Sequence, residues 1–221
     1  MAQLTACHDR PSRPRCAWYL RRIALASVGL LPLTVSPRVE AAPLALAPAL
    51  QVEVLHPTKH DRDLKTINLS GFIAAKRFDA IPLSLNFGVT LSRVTGTITQ
   101  LVGDFNQGTL HGETFASPAW GFGPTVQPRF ELLHYAGLTV RADFSGSFLW
   151  YNHDFPSGGR RYNFMWQAGP TLAYAPPSSC LRLSAGYRLW MHVSNGTGLG
   201  PRNPSYEGAG PFVGFGCALH S

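Results

Sequence analysis

The sequence predicts an all-β protein that folds as an eight-stranded antiparallel transmembrane β-barrel. Three observations predict this fold: apolar and polar residues alternate in one segment after another, these segments number eight, and the connections between them are alternately long and short. The 221 residues suffice for one closed barrel, and a charged fraction of only 14% argues against a charged helical protein.

The first 41 residues are predicted to be a targeting segment, a signal peptide that is absent from the mature protein. Arginines make its first part basic, and an apolar run follows over residues 23–35. This run is shorter than the ~20 apolar residues that a membrane-spanning helix needs, so a single membrane anchor is the less favoured alternative. Residues 39–41 offer small side chains for signal peptidase, and we expect cleavage after Ala41. The mature barrel is then residues 42–221.

The charge of the chain is concentrated in this leader. The whole sequence carries 19 basic and 12 acidic residues, a formal net charge of +7. Six arginines and two acidic residues, Asp9 and Glu40, lie in the leader, so the mature part keeps 13 basic and 10 acidic residues, about +3. The remaining basic residues do not cluster, and we therefore expect no nucleic-acid partner.

Alternation of apolar and polar residues defines each predicted strand. Between Ile81 and Leu91 every second residue is apolar, and the residues between them are polar or small. Side chains on a strand point alternately to two faces, so this segment has one apolar face and one polar face. With 81–94, the same pattern gives eight strands, the others lying near 50–56, 66–73, 120–132, 138–150, 162–174, 181–193 and 213–219.

A soluble barrel or sandwich would alternate in the same way, but two features favour a membrane. The polar faces carry charges that suit a narrow polar lumen better than a solvent-exposed face: Arg129, Glu131, Arg141 and Asp143. Aromatic residues lie near predicted strand ends, as in interfacial girdles: Trp120, Trp150, Tyr151, Tyr162 and Tyr174. We therefore expect a multi-pass barrel among the lipids of the bacterial outer membrane. A soluble periplasmic barrel is the alternative, and a monomer and a homodimer both remain open.

The predicted connections alternate in length. They are long over 57–65, 95–116, 152–160 and 194–208, and short over 77–80, 133–136 and 175–179. Transmembrane barrels have short periplasmic turns and long outer loops. Both termini are therefore expected to be periplasmic, and the connection 194–208 is expected to be extracellular.

Two cysteines remain after the leader is removed. Cys180 and Cys217 lie near the non-loop ends of the last two predicted strands, in a compartment expected to be oxidising, so a disulfide is one alternative. Strict alternation puts their side chains on opposite faces of the sheet, which favours two free thiols instead.

Candidate catalytic residues concentrate in the last predicted hairpin. His192 and Ser194 lie two residues apart at a strand end and share a face, and Glu207 begins the partner strand. A hydroxyl, an imidazole and a carboxylate thus converge by topology, and these are the nucleophile, base and orienting group of acyl-transfer enzymes. Asn195 adds an amide donor for an oxyanion. The non-catalytic alternative is an ordinary Ser-Asn-Gly loop. The remaining histidines show no metal-ligand spacing, so we expect no metal.

The stretch from His192 to Asn195, followed by glycine-rich sequence and Asn203, resembles the outer-membrane lipid A 3-O-deacylases, the PagL-like acyloxyacyl hydrolases. The strong resemblance covers about residues 187–215. It implies that Ser194 is the nucleophile, His192 its base and Glu207 the third member of the triad. It also implies that Asn195 serves the oxyanion and that Asn203 supports the site.

The reaction implied by this resemblance is hydrolysis of the ester that joins a 3-hydroxyacyl chain to the 3-position of lipid A. The substrate is lipopolysaccharide of the outer leaflet, and no cofactor is required. A non-catalytic small outer-membrane barrel, adhesin-like or structural, is the alternative, and such a barrel would not need the triad.

The alternation that identifies the barrel also predicts its own interruption. Counted strictly from Leu181, it carries His192 and Ser194 into the lumen, where an acyl chain cannot reach them. The approach to His192 is one residue longer than in the family that it resembles. The extra residue near Trp190 predicts a β-bulge, which would turn the residues after it to the lipid face.

Overall fold

The computed structural model describes residues 45–59, 62–78, 80–104, 108–177, 179–197 and 202–217. The predicted leader and its cleavage position lie outside these residues, as do the last residues of the predicted strand 213–219. Within the described ranges there is no helix with the length and hydropathy needed to cross a membrane.

The described residues form one closed antiparallel sheet. Its strands are β1 (Ala45–Pro57), β2 (Arg62–Phe78), β3 (Leu83–Asp104), β4 (Thr109–Ala116), β5 (Ala119–Tyr135), β6 (Leu138–Phe155), β7 (Arg160–Tyr174), β8 (Leu181–Ser194) and β9 (Tyr206–Cys217). Both β4 and β5 pair with β3, and β5 follows β4 after two residues, so the two count as one of the eight strands around the barrel. Pairing of β1 with β9 closes the ring. The predicted eight-stranded antiparallel barrel is therefore confirmed.

The two rims of the barrel differ in what they carry. Because the number of strands around the barrel is even, β1 begins and β9 ends at the same rim, which we call the terminal rim. At the opposite rim, the distal rim, β1, β6 and β8 end and β3 continues beyond the barrel as a hairpin with β4.

Side chains alternate between the lumen and the outer surface as predicted. In β5, Thr125 and Gln127 are buried in the lumen, whereas Phe122 and Val126 point outward and are exposed. The same arrangement around the ring gives the barrel a largely apolar outer surface, with exposed members such as Leu69, Val89, Leu91, Phe144, Phe148, Phe164, Leu172, Val213 and Phe215. A surface of this kind is characteristic of barrels that lie in lipid.

A buried carboxylate organises the middle of the lumen. Oε1 of Glu53 accepts hydrogen bonds from Arg188 Nε at 2.8 Å and Gln51 Nε2 at 2.6 Å, and Oε2 accepts from Gln167 Nε2 at 2.7 Å and Asn68 Nδ2 at 3.0 Å. A buried carboxylate without such partners would cost several kcal/mol. The bonds from Gln167 and Arg188 cross the lumen, since β1 is not adjacent to β7 or β8 in the sheet.

A second buried carboxylate, Asp143, faces the lumen from β6. It accepts a hydrogen bond from Thr171 Oγ1 at 2.7 Å, and its oxygens lie 3.8 Å from Nε of both Arg129 and Arg141. The predicted placing of Arg129, Arg141 and Asp143 in a narrow polar lumen is confirmed.

The lumen is not polar throughout, however. Near the distal rim it is filled by an apolar cluster: Leu55, Leu64, Val94, Ile98, Ala119, Leu149, Tyr151, Phe155, Met165, Met191, Val193 and Tyr206. Tyr151 was predicted to belong to an interfacial girdle, and this is wrong. It is 1% exposed and stacks on Phe155, with ring centroids 4.9 Å apart. We call these residues the distal cluster.

The three predicted short connections and the long connection 194–208 are confirmed in length, whereas the other three predicted long connections are wrong. Four residues separate β1 from β2 and β6 from β7, and the segment 95–116 contains the hairpin of β3 and β4. Among the described strands, β8 and β9 alone are joined by a long connection, residues 195–205. The hairpin escaped detection because β4 is exposed along nearly its whole length, so its sequence does not alternate between a buried and an exposed face.

The turn between β5 and β6 is as tight as a hairpin allows. Ala136 and Gly137 connect the strands, and both have positive φ, 47° and 83°. Two-residue hairpins favour this conformation because its twist matches that of the strands, and glycine adopts it without steric cost.

A disulfide joins Cys180 to Cys217 at the terminal rim. The parity argument against it fails because Cys180 precedes the first residue of β8, Leu181, and is not bound by the alternation of that strand. The two Cα atoms are 4.7 Å apart, within the range that a disulfide spans.

We expect Arg188→Met to lower the free energy of unfolding by roughly 3–5 kcal/mol, because it leaves the Glu53 carboxylate buried without a cation. The measurement is the urea midpoint of the barrel in detergent micelles. Arg182→Met is the matched control, since Arg182 lies on the same strand but is exposed. Combining Arg188→Met with Glu53→Gln should recover part of the loss, and equal midpoints for all variants would contradict this account.

Candidate active site

The strand β8 changes its phase between Arg188 and Met191. These residues are three positions apart, whereas their partners on β9 are two positions apart, so β8 holds one extra residue. Leu189 and Trp190 are both exposed, at 67% and 45%, although neighbours on a regular strand point to opposite faces. The β-bulge predicted near Trp190 is confirmed.

The bulge decides which side chains of β8 enter the barrel. After it, Met191 and Val193 point inward and are fully buried in the distal cluster. Burying two such side chains contributes roughly 1.5–3 kcal/mol each, which fixes the phase of the strand beyond the bulge. His192 and Ser194 alternate with them and therefore lie on the outer face.

His192 and Glu207 form the first part of the candidate site. They are direct partners in the ladder of β8 and β9, and His192 Nδ1 lies 3.7 Å from Glu207 Oε1. A carboxylate opposite Nδ1 favours the tautomer with the proton on Nδ1, which leaves Nε2 as a base. The indole of Trp190 lies parallel to the imidazole, with centroids 6.1 Å apart.

Ser194 ends β8, and its hydroxyl is held by the loop that follows. Ser194 Oγ accepts hydrogen bonds from Asn203 Nδ2 at 3.0 Å and from the backbone N–H of Gly196 at 3.2 Å. Gly196 has a φ of 72°, a left-handed conformation that favours glycine. Within the described residues no hydrogen bond joins Ser194 to His192, which lies roughly 7 Å away along the strand. Such catalytic hydrogen bonds often form only when substrate binds.

The side chain of Asn195 is engaged within the loop. Its Nδ2 donates to the carbonyl of Arg202 at 2.6 Å, and its Oδ1 accepts from the backbone N–H of Thr197 at 3.1 Å. Asn195 is buried, at 3% exposure. The resemblance implies that Asn195 serves the oxyanion, but the amide nitrogen that contacts Ser194 Oγ is that of Asn203.

Asn203 connects the loop to the hydroxyl. Its Oδ1 accepts from the backbone N–H groups of Asn195 at 3.1 Å and Ser205 at 3.3 Å, while its Nδ2 donates to Ser194 Oγ. The amide therefore fixes the loop through its oxygen and presents a donor to the candidate nucleophile through its nitrogen.

Two basic residues at the site escaped the sequence analysis. Lys59 Nζ lies 2.8 Å from Glu207 Oε1. Arg62 donates from Nε to the carbonyl of Pro204 and from Nη1 to the carbonyl of Thr99, both at 3.1 Å, and so ties the loop to the β3–β4 hairpin. Both residues fall in the segment 57–65, and no sequence pattern marks either of them as a neighbour of the last hairpin.

Aromatic side chains of β7 flank the outward groups of β8. Trp166 is the ladder partner of His192, and Phe164 is the partner of Ser194. Both are exposed, at 53% and 39%. One pair nearer the distal rim, Trp150 of β6 faces Tyr162 of β7. The hydroxyl and the imidazole thus lie on an apolar outer surface at the level of exposed aromatic rings.

No group of His, Cys, Asp and Glu in the described ranges is arranged to hold a metal ion. Comparison of the sequence with protein-family models and with curated proteins finds no match.

Cysteine labelling tests which face His192 and Ser194 occupy. In purified, folded protein, Ser194→Cys is expected to react with a maleimide, because position 194 lies on the outer face. Val193→Cys is expected to be protected, because Val193 is fully buried. The measurement is the extent of modification by mass spectrometry in detergent micelles. Rapid labelling at 193 and protection at 194 would mean that β8 runs without the bulge.

Proposed function

We propose that the protein is an outer-membrane serine esterase that hydrolyses the 3-O-linked 3-hydroxyacyl ester of lipid A. The observation that carries the proposal is the bulge in β8. It turns His192 and Ser194 to the apolar outer face, where a lipid ester can reach them, and it leaves His192 opposite Glu207.

The location in the outer membrane is part of the proposal. It is supported by the apolar outer surface and by exposed aromatic residues towards both rims. Trp120 and Trp150 lie towards the distal rim, and Tyr135 and Tyr174 lie at the terminal rim. Two arginines cover aromatic rings towards the distal rim, with Arg93 over Trp120 and Arg160 over Tyr162. Such an edge suits the boundary between lipid and charged headgroups.

In the proposed reaction, Ser194 Oγ attacks the ester carbonyl and His192 Nε2 takes the hydroxyl proton. Glu207 holds the imidazole through Nδ1 and stabilises its charged form. The tetrahedral intermediate collapses, the sugar oxygen leaves with the proton from His192, and the acyl chain remains on Ser194. Water, activated by His192, then releases the fatty acid. The chemistry requires no cofactor.

The oxyanion of the intermediate requires donors close to Ser194. The backbone N–H of Gly196 and Nδ2 of Asn203 are the two donors in contact with Oγ, at 3.2 and 3.0 Å. We propose that both donors hydrogen-bond to the former carbonyl oxygen once it carries the negative charge of the intermediate. One such donor contributes roughly 10²–10³ in rate.

The apolar surroundings favour a lipid over a soluble ester. Phe164 and Trp166 flank the site on β7, and Trp190 flanks it on β8. An acyl chain lying along this surface would remain among apolar groups while its ester reaches Ser194. If the distal rim is extracellular, the surrounding leaflet contains lipopolysaccharide.

We expect membranes that contain the protein to yield lipid A lighter by one 3-hydroxyacyl group, and Ser194→Ala to abolish this change. The measurement is mass spectrometry of lipid A from cells with and without the protein. Heat-modifiable migration of the variant on gels checks that its barrel still folds.

The result that would contradict the enzyme is unchanged lipid A in several hosts with different lipid A structures. That outcome would favour the second candidate function, a non-catalytic adhesin-like or structural barrel. One observation supports such a binding role: the β3–β4 hairpin extends beyond the distal rim and exposes Leu101 and Leu110 at 78% and 74%.

We expect Asn203→Asp to lower kcat by roughly 10²–10³, because it removes the donor at Ser194 and adds a negative charge beside the oxyanion. Asp keeps the oxygen that accepts from the two loop amides, so the loop should keep its shape. Thr197→Ala is the control, since Thr197 contacts Asn195 and not Ser194. The measurement is acyl release in mixed micelles, and equal losses in both variants would indicate that Asn203 acts through the loop alone.

A further inference from the structure

We infer that Lys59 is a positioning residue of the catalytic site, whose ammonium holds the Glu207 carboxylate beside His192. This inference rests on the proposed function and adds one side chain to it. Lys59 follows the end of β1, beside the pairing of β1 with β9 that closes the barrel, and is far from the triad in sequence.

The contacts of the Glu207 carboxylate support this role. Lys59 Nζ is 2.8 Å from Oε1, and His192 Nδ1 is 3.7 Å from the same oxygen. In the described part of the chain these are the partners of that carboxylate. A glutamate has a flexible side chain and this one is 27% exposed, so in the absence of Lys59 only the longer contact to His192 would restrain it.

Closure of the barrel sets the approach of Lys59. Pro57 pairs with Gly208 across the β1–β9 seam, and the backbone N–H of Thr58 donates to the carbonyl of Glu207 at 3.1 Å. The backbone that carries Lys59 is therefore attached directly to the backbone that carries Glu207. This attachment distinguishes the pair from an ion pair formed by two unrelated surface side chains.

The ammonium has two opposing effects on His192. It holds Oε1 within about an ångström of hydrogen-bonding distance to Nδ1, which favours catalysis. Its positive charge also opposes the imidazolium that forms when His192 takes the proton. Lys59 is 51% exposed, so solvent and salt weaken both effects. The contact with Oε1 is direct, at 2.8 Å, whereas His192 lies on the far side of that carboxylate oxygen and the two like charges are further apart. Positioning is therefore the larger effect.

The test compares Lys59→Met and Lys59→Arg in the purified full-length barrel, with 3-O-acylated lipid A in mixed micelles as substrate. We expect Lys59→Met to lower kcat about tenfold at unchanged KM, the effect of losing ~1.4 kcal/mol of transition-state stabilisation. Lys59→Arg should keep kcat within about threefold of the native protein, because arginine preserves the cation at the carboxylate. Lys65→Met is the matched control, since Lys65 is an exposed lysine on β2 outside the site.

A double-mutant cycle shows whether the effect passes through Glu207. Once Glu207→Ala has removed the carboxylate, adding Lys59→Met should cause no further loss. A raised KM with unchanged kcat would mean that Lys59 binds substrate, and an unchanged or increased kcat would also overturn the inference. Heat-modifiable migration confirms folding of each variant. Native protein that releases no acyl chain overturns the proposed function itself, whereas activity that is equal in native protein and Lys59→Met overturns the inference alone.

Discussion

The interior of the barrel makes two demands on β8 that a regular strand cannot meet together. Arg188 must point inward to neutralise the Glu53 carboxylate, and Met191 and Val193 must point inward to fill the distal cluster. Positions 188 and 191 have opposite parity, so one extra residue has to be inserted between them. The bulge is the consequence of this conflict, and the outward placing of His192 and Ser194 follows from it.

The two layers of the lumen explain why the conflict exists. In the middle, the lumen is polar, and Glu53 is hydrogen-bonded to side chains of four strands, its own included. Near the distal rim, the inward positions of the cluster carry apolar and aromatic side chains, and the hydroxyl of Tyr206 contacts Thr66. A strand that crosses both layers must direct side chains into each of them. In β8 the alternation of inward and outward side chains shifts by one residue where the strand passes from the polar layer to the distal cluster. The candidate site therefore depends on the interior, although none of the proposed catalytic side chains lies there.

Alternation made the barrel, its strand number and its apolar outer surface predictable, because each depends on local sequence alone. The bulge was predictable too, since strict alternation from Leu181 carries His192 and Ser194 into the lumen and one extra residue near Trp190 turns them outward. The hairpin within 95–116 was not, because β4 is exposed on both faces and carries no alternation. Lys59 and Arg62 were missed for a different reason. Their partners, Glu207 and Pro204, lie more than a hundred residues away and become neighbours only when β1 closes the ring against β9.

Two residues of the candidate site lie within paired strands, and the third lies where its strand meets a loop. His192 and Glu207 are ladder partners, so the spacing of their backbones is set by the sheet, whereas Ser194 ends its strand with its hydroxyl bonded to the loop. The described ends of this connection are tied together, because Asn203 accepts from the backbone N–H groups of Asn195 and Ser205, and Arg62 donates to the carbonyl of Pro204. With both backbones restrained, the hydroxyl and the imidazole must meet through rotation of their side chains. Rotamer changes of partly exposed side chains are far faster than loop rearrangements, so assembly of the proposed triad does not require the barrel to move.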